Sequence, residues 1–337
     1  MSVNLRTVAE HAGVSVRTVS NVVNGYTHVS AAMRERVQRS IDELGYRPNV
    51  AARTLRSGRT GVIGLVVPEV HSPYFGELAS AVVRLAAERG WMVHIDQTEG
   101  DAERERRLVE GSSSRLVDGL VVSPWALGAA DLTARPDDAV PLVMLGERDG
   151  AGLVDHVAID NVGAAREATA HLVATGRRRI AAVGLQPHLA NDTARLRLAG
   201  FTEAMQAAGL TPAATVEVRA LHRADGAAAV AGLLEGSSGA PDAVFCFTDE
   251  LALGVARALA DRGLTVPDDV ALVGFDDVED GRYAVPSLTT VSPDKQAIAA
   301  ASLQCLDDRL ADASTPVRDV VVGHRLLVRE SSAPVAT

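Results

Sequence analysis

The sequence lacks any apolar run long enough to cross a membrane. Its apolar stretches, such as residues 61–68, are far shorter than the roughly 20 residues that a spanning helix needs. The N-terminus also lacks a basic stretch followed by an apolar core and a small-residue cleavage site, the pattern that directs export. These absences predict a cytoplasmic protein.

Cysteine is scarce, and recognisable catalytic motifs are missing. Cys246 and Cys305 stand in apolar surroundings without CxxC spacing, which favours buried thiols over a disulfide, a zinc site or a nucleophile. The sequence contains neither GxGxxG, GxxxxGK[ST], GxSxG nor HExxH, and its histidines are scattered. We therefore expect no enzyme, no cofactor and no metal site.

Charge is distributed unevenly along the 337 residues. Residues 1–60 hold nine arginines against four acidic residues, a net charge of +5, whereas the whole chain carries −10, so the remainder carries −15. A basic N-terminal part on an acidic body is typical of a DNA-binding protein, although a charged stretch is often only a solvated surface.

The first 44 residues have a helical apolar pattern that is interrupted twice. One short amphipathic helix ends at Gly13, Ser15 can cap a second that Gly25 ends, and a third begins after Ser30. Two short helices joined by a tight turn and supported by a third describe a helix-turn-helix unit. After Pro48, Asn49 can cap a brief helix over residues 50–56, followed by a linker at 57–59.

Beyond residue 60, short apolar strands alternate with amphipathic helices. The predicted strands are 62–67, 92–95, 119–122, 142–145, 180–183, 243–247 and 270–275, and the predicted helices include 75–89, 162–175, 194–208, 250–262 and 295–310. This alternation predicts parallel sheets with helices on both faces, over a length sufficient for two doubly wound lobes. Ligands of such sheets gather at the carboxyl ends of the strands, here in a cleft between lobes.

Several segments resemble the LacI/GalR family of repressors and keep that family's order across nearly the whole chain. They are VAEHAGVSVRTVSNVVNG (8–25), GYRPN (45–49), TGVIG (60–64), SPYF (72–75), DGL (118–120), ARLRLAGF (194–201), GFDD (274–277) and PSLTTV (286–291).

The resemblance implies a transcriptional repressor that binds a palindromic operator in double-stranded DNA as a homodimer, within the nucleoid. It implies an all-α helix-turn-helix head at 1–48, a hinge helix and linker at 49–59, and a body at 60–330 that is similar to periplasmic binding proteins. The expected lobes are about 60–160 with 291–322, and 161–290 with 323–330, followed by a disordered tail at 331–337. No leucine heptad follows Glu330, so we expect no tetramerisation tail.

Three side chains of the second helix are expected to contact base edges, namely Val16, Arg17 and Asn21. Arginine can bond two acceptors of guanine, asparagine can do the same for adenine, and valine can touch a thymine methyl. Contact of Arg17 and Asn21 with phosphate or water alone is the alternative. Positioning contacts with the DNA backbone are expected from Thr7, Thr18, Ser20, Asn24, Tyr26, His28, Ser30 and Arg34.

The resemblance also places a hinge helix at residues 49–56. Leu55 matches the leucine that these repressors insert between base steps from the minor groove. Asn49, Arg53 and Arg56 are expected to contact the DNA backbone around it. Packing of Leu55 within its own subunit is the alternative.

The body is expected to bind a small-molecule effector, a sugar or sugar derivative that acts as an inducer. The residues assigned to this site are Pro73, Tyr74, Phe75, Ser123, Arg197, Leu221, Thr248, Asp249 and Asp276. Helix capping by Thr248, Asp249 and Asp160, and a salt bridge between lobes for Arg197, are the alternatives. Many relatives carry an aromatic residue where Leu221 stands, so Trp125 is a second candidate for stacking on the ligand.

Three rival functions follow from the same pattern. An enzyme is disfavoured by the missing motifs, and a secreted sugar-binding protein by the basic head and the missing export signal. An activator of transcription, rather than a repressor, stays open.

Overall fold

The computed structural model describes residues 3–23, 26, 28–46, 59–110, 116–136, 138–147, 150, 152–187, 189, 192–235 and 240–333. The chain divides into two compact units, a head at Met1–Gly61 and a body at Val62–Thr337. The predicted hinge helix at 49–56, with Asn49, Arg53, Leu55 and Arg56, lies outside the described residues, as does Asn24.

The head contains three helices, α1 (Leu5–Ala12), α2 (Val16–Val23) and α3 (Ala31–Leu44). The side chain of Asn4 caps α1, and Gly13 ends it with a φ of 61°, a left-handed conformation that favours glycine. The Ser15 hydroxyl accepts from the amide of Thr18 at the start of α2, as the sequence predicted. The apolar faces of the three helices meet in one small core, built on Val8, Ala9, Ala12, Val19, Val22, Val37 and Tyr46.

Arg36 of α3 fixes the turn between α1 and α2. Its Nε donates to the carbonyl of Ala12 at 2.6 Å, and its guanidinium also donates to the carbonyl of Gly13 at 2.6 Å. These are carbonyls that the end of a helix leaves without intrahelical partners. The contact holds the turn in one conformation, which sets the direction of α2.

The body is built on two sheets, and its elements in chain order are β1 (Val62–Val67), α4 (Pro73–Glu88), β2 (Met92–Gln97), α5 (Ala102–Glu110), β3 (Gly119–Val122), α6 (Ala129–Thr133), β4 (Leu142–Leu145), β5 (Asp155–Ile159), α7 (Asn161–Ala174), β6 (Ile180–Leu185), α8 (Asp192–Ala207), β7 (Ala214–Glu217), α9 (Arg223–Glu235), β8 (Ala243–Cys246), α10 (Asp249–Ala260), β9 (Ala271–Phe275), α11 (Glu279–Tyr283), β10 (Thr289–Pro293), α12 (Lys295–Ala311), β11 (Asp319–Val322) and β12 (His324–Leu327).

Over the described residues each sheet has six strands. The first runs β11-β5-β4-β3-β1-β2 and is parallel throughout, and the second runs β12-β10-β9-β8-β6-β7 with only β12 antiparallel. The central strands are buried on both faces, which is why they read as continuous apolar runs. We call the two sheets with their helices the first and second lobe.

The chain passes between the lobes at Asp160, Asp294 and Gly323. Asp160 accepts from the amide of Gly163 and so caps α7, while Asp294 does the same for Ala297 and α12. Because β10 belongs wholly to the second sheet, the second crossing comes after residue 293 rather than at 291 as expected.

The expectation of a disordered tail from residue 331 is wrong at its start. Ser331 and Ser332 are buried, and the Ser331 hydroxyl donates to the carbonyl of Leu272 at 2.7 Å and accepts from the amide of Thr289 at 2.8 Å. The Ser332 hydroxyl donates to the Thr289 hydroxyl at 2.7 Å. The two serine hydroxyls satisfy buried polar groups and hold this segment against the second sheet. Residues 334–337 lie outside the described part.

Among the described residues, no helix is both long enough and apolar enough to cross a membrane.

Candidate functional site

A pocket opens between the two lobes of the body, at the carboxyl ends of their strands. The first lobe contributes loops that follow β1, β3 and β4, and the second contributes α8 and the loops after β7, β8 and β9. Its lining includes the predicted residues Tyr74, Phe75, Ser123, Arg197, Leu221, Thr248 and Asp276, together with Trp125.

Arg197 is the buried cation at the base of the pocket. Its Nε donates to Oδ1 of Asn161 at 2.8 Å, and its Nη1 donates to the carbonyl of Phe247. The guanidinium carbon lies 3.5 Å from the centroid of the Phe275 ring, a cation–π geometry. Nη1 also lies 3.8 Å from a carboxylate oxygen of Asp276. Hydrogen bonds and stacking therefore fix the guanidinium plane before any ligand arrives.

Asp276 comes directly after β9 and is almost fully buried. Burial raises its pKa to about 7, against the lowering effect of the Arg197 and Lys295 charges. Its φ of 118° is one that residues other than glycine rarely adopt. A strained, half-ionised carboxyl beside a fixed guanidinium can accept or donate hydrogen bonds to a polar ligand.

The pKa of Asp276 predicts a specific dependence of stability on pH. Because this pKa is higher in the folded protein than the ordinary value of about 4, folding takes up a proton between about pH 4 and 7. The free energy of unfolding of the wild type should therefore fall, relative to Asp276→Asn, as the pH rises through that window. The slope approaches about 1.4 kcal/mol per pH unit at most. Urea unfolding at pH 5, 6 and 7 measures this slope. If the free energy of unfolding depends on pH in the same way in the wild type and Asp276→Asn, the raised pKa of Asp276 is contradicted.

Tyr74 and Phe75 lie in the first turn of α4, which begins at Pro73. Their rings contact edge to face with centroids 5.2 Å apart, and burial raises the pKa of the Tyr74 phenol. Both rings line the pocket from the first lobe, whereas Pro73 does not line it. The assignment of Pro73 to the site is therefore corrected: its ring begins the helix instead.

Glu105 of α5 holds the loop that carries Trp125 into the pocket. Its buried carboxylate accepts from the amides of Trp125, Ala126 and Leu127 at 2.9, 2.8 and 3.0 Å, and from the Thr98 hydroxyl at 3.3 Å. Successive backbone amides that point at one carboxylate fix the loop conformation. The Trp125 ring consequently has a defined position on the wall of the pocket.

Asp249 does not line the pocket, which corrects the prediction for this residue. It is fully buried in the first turn of α10, where its carboxylate accepts from the Thr290 hydroxyl at 2.6 Å and the amide of Val278 at 2.9 Å. Burial raises the pKa of this carboxyl well above its usual value. The neighbouring Thr248 lines the pocket and also caps α10 through the amide of Leu251, so the capping interpretation is confirmed and the effector contact stays a prediction.

Sequence reasoning missed a set of polar residues that share the pocket wall: Glu69, Ser72, Glu147, Thr193, His222 and Glu250. Glu147 accepts from Nδ2 of Asn161 at 2.6 Å and from the Thr193 hydroxyl. Glu69 and Glu147 follow β1 and β4 by two residues each, so the rule that ligands gather at carboxyl ends of strands would have found them.

In the head, α2 exposes two of the three side chains that sequence analysis assigned to base contacts, and the third is half-buried. Val16 is 45% exposed, Arg17 is exposed and Asn21 is half-buried, whereas Val19 and Val22 pack in the core. An exposed valine beside an arginine on a short helix suits insertion into a major groove.

The residues assigned to the DNA backbone are placed less uniformly. Tyr26, His28 and Ser30 are exposed, and Thr7, Thr18 and Arg34 are half-buried, with Arg34 donating to the carbonyl of Tyr26 at 2.8 Å. Ser20 is only 9% exposed on the inward side of α2, so a phosphate contact from its side chain does not fit this structure. Ser30 also caps α3 through the amide of Met33.

Sequence comparison matches both units to known families. Residues 4–49 match the family described as bacterial regulatory proteins of the lacI family, and residues 169–332 match the periplasmic binding protein-like domain. The transcriptional regulator CelR of Thermobifida fusca is 36% identical over 97% of this chain and 97% of its own length.

Solved structures agree with these matches. The lac repressor dimer bound to operator and the anti-inducer ONPF is similar with a TM-score of 0.85 at 28% identity, covering 98% of this chain and 99% of that one. A complex of the regulator CelR with cellobiose gives a TM-score of 0.69 at 33% identity, with the same coverage. The head, the two-lobed body and these similarities together show that the chain belongs to the LacI family of bacterial transcriptional regulators.

Proposed function

We propose that this regulator is a repressor that binds a palindromic operator as a homodimer and is released from it by a sugar-like inducer in the cleft of the body. The observation that carries the proposal is α2, which presents Val16, Arg17 and Asn21 outward from a packed three-helix head. The lac repressor structure holds an operator, which supports a DNA ligand for this head. Bacterial operator DNA lies in the cytoplasm, in the nucleoid, so this is the location that we propose for the protein.

The body surface supports pairing of two copies. Met92 and Ile95 of β2, the edge strand of the first sheet, and Val83 of α4 are large apolar side chains that are 57%, 38% and 43% exposed. In the second lobe, Tyr283 and Val285 are 79% and 98% exposed. Apolar groups of this size at the edge of a sheet favour a protein contact over solvent. A twofold dimer gives each half of a palindrome the same contact.

The chemistry of the pocket favours a polyhydroxylated effector. Carboxylates from Glu69, Glu147 and Asp276 and the guanidinium of Arg197 are suited to pairs of hydroxyls, and Trp125 offers a ring face to apolar C–H groups. CelR, a relative by sequence, was solved with cellobiose. Other relatives are transcriptional repressors named PurR, and a purine is the second effector class to test.

Effector and operator are proposed to oppose one another by one coupling free energy. A value of about 1–3 kcal/mol, typical of such linkage, changes operator affinity about 5- to 150-fold. The relatives are regulators of transcription, which agrees with this binding role. Titration of sugars and purines against the operator complex tests the effector class, because only the true class releases the DNA. Tighter binding with the effector would make it a corepressor.

The test of base contact is Arg17→Ala, compared with Arg39→Ala. Both side chains are exposed in the head, Arg17 on α2 and Arg39 on α3, so each variant removes one positive charge. Arg17→Ala should relax the preference at one base position of each half-site, worth about 1–3 kcal/mol, while Arg39→Ala keeps every base preference. Binding to a library of operator sequences at fixed salt measures both. An equal loss on all sequences for Arg17→Ala would remove it from the base-reading residues.

A further inference from the structure

Three potential metal ligands from both lobes converge at the rim of the pocket. Glu69 and His71 lie in the loop between β1 and α4, and His222 lies between β7 and α9. One ligand atom from each residue lies within 4.8 Å of the other two, and in the described part of the chain no other histidine, cysteine or carboxylate group forms such a trio. Nε2 of His222 is 3.5 Å from a carboxylate oxygen of Glu69, and the two imidazole centroids are 5.1 Å apart.

Neighbouring charged and polar residues contact the imidazole of His222 and the loop that carries Glu69 and His71. Nδ1 of His222 faces Glu250 at 3.7 Å, which leaves its Nε2 on the side of Glu69. Glu250 itself lies 3.6 Å from Nε of Arg223. A carboxylate that accepts a hydrogen bond from the far nitrogen orients a metal-binding histidine, and Glu250, at 3.7 Å from Nδ1, is near enough to become that partner after a small movement. On the other side, Oε1 of Gln97 accepts from the amide of Val70 at 2.8 Å, which holds the loop between Glu69 and His71.

We propose that Glu69, His71 and His222 bind a divalent transition metal ion, Zn²⁺ being the best match, and that this ion bridges the two lobes at the mouth of the cleft. Two imidazoles and one carboxylate suit zinc, whereas calcium and magnesium prefer ligand sets made of oxygen. Ligands about 2.1 Å from a tetrahedral zinc stand about 3.4 Å apart, close to the distance between His222 and Glu69. His71 is exposed, so its ring can rotate to complete the set.

The position of the site gives it a regulatory consequence. Glu69 and His222 also line the effector pocket, so a bound ion would join the lobes directly beside the ligand. An ion that prefers one separation of the lobes must share a coupling free energy with any ligand that prefers the same separation. Residues 69–71 and 222 are far apart along the chain, so no sequence motif points to this site.

The first experiment measures Zn²⁺ binding to the full-length, metal-free protein by competition with a chromophoric chelator. The wild type should bind one ion per chain, and His71→Ala and His222→Gln should each weaken this binding at least 10-fold. His94→Ala is the matched control, since His94 is an exposed histidine on β2 outside the cluster, and it should leave binding unchanged. Glu69→Gln is a second test variant, in which an uncharged side chain of the same size replaces the carboxylate. His71→Ala alters only an exposed side chain, and circular dichroism confirms that each variant is folded.

Two outcomes would overturn the proposal: absence of Zn²⁺ binding by the wild type, or equal weakening by His94→Ala and His71→Ala. Bridging is tested by hydrogen exchange, which should slow on addition of Zn²⁺ in peptides around both 69–71 and 221–223. Slowing in one of the two segments alone would contradict an ion shared between lobes. Zn²⁺ is the only ligand in these measurements, so their outcome does not depend on the proposed sugar effector or on the operator.

Discussion

Replacing Arg197 with leucine should lower the free energy of unfolding of the body by about 3–5 kcal/mol and abolish its response to effector. The variant leaves the Asp276 carboxyl without its nearest cation and leaves Asn161 and the carbonyl of Phe247 without their donor. The pKa of the Asp276 carboxyl should then rise further, so the loss of stability caused by Arg197→Leu should grow between pH 7 and 8. Urea unfolding at several pH values measures the effect.

The control for this experiment is Arg195→Leu, on the same helix. Arg195 is exposed and pairs at the surface with Asp192 three residues before it, so we expect a loss below about 1 kcal/mol. A double-mutant cycle with Asp276→Asn isolates the Arg197–Asp276 interaction, because asparagine cannot carry the charge. Equal losses for Arg195→Leu and Arg197→Leu would show that the buried guanidinium does not stabilise the lobe.

Glu105→Ala should have the second large effect. It removes the acceptor of three amides, of which that of Leu127 is buried and those of Trp125 and Ala126 are half-buried. A buried donor left unsatisfied costs about 1–3 kcal/mol, and water can reach the two half-buried amides, so we expect a total loss of about 2–4 kcal/mol. Glu105→Gln keeps one acceptor oxygen and should lose less. In Glu105→Ala the carboxylate no longer holds the Trp125 loop, so the fluorescence of Trp125 should shift toward that of exposed indole. The measurement uses a Trp91→Phe background, which leaves Trp125 as the sole tryptophan.

Glu103→Ala is the matched control for Glu105→Ala. Glu103 is exposed on the same helix and pairs with Arg107 at the surface, so its removal should change stability by less than about 1 kcal/mol. Unchanged Trp125 fluorescence in a destabilised Glu105→Ala protein would mean that the carboxylate supports the helix but not the loop.

Several of the strands that sequence analysis found have a simple burial pattern. β1, β3 and β4 are buried on both faces, and their predicted bounds agree with the structure. β5 escaped prediction because it begins with Asp155 and His156, polar residues that are buried among partners such as Arg309. A buried ion pair breaks the apolar pattern on which the prediction depends.

Prediction of the site had a similar limit. The position after a strand made Ser123, Thr248 and Asp276 candidates, and all three line the pocket, but this rule does not say which way a side chain turns. Asp249 follows the same strand as Thr248, yet its carboxylate turns into the lobe to meet Thr290. His222 could not be found, because it follows β7, an edge strand with alternating exposure that was not predicted. Base contacts and effector contacts both stay predictions.

The placement of β11 and β12 has a consequence for synthesis of the protein. These neighbouring strands, separated by Gly323, complete opposite sheets: β11 is the edge beside β5, and β12 is the edge beside β10. A nascent polypeptide that has emerged from the ribosome only as far as residue 318 therefore lacks an edge in both sheets at once. A premature stop codon there would damage both halves of the body together, and neither half should mature independently during translation.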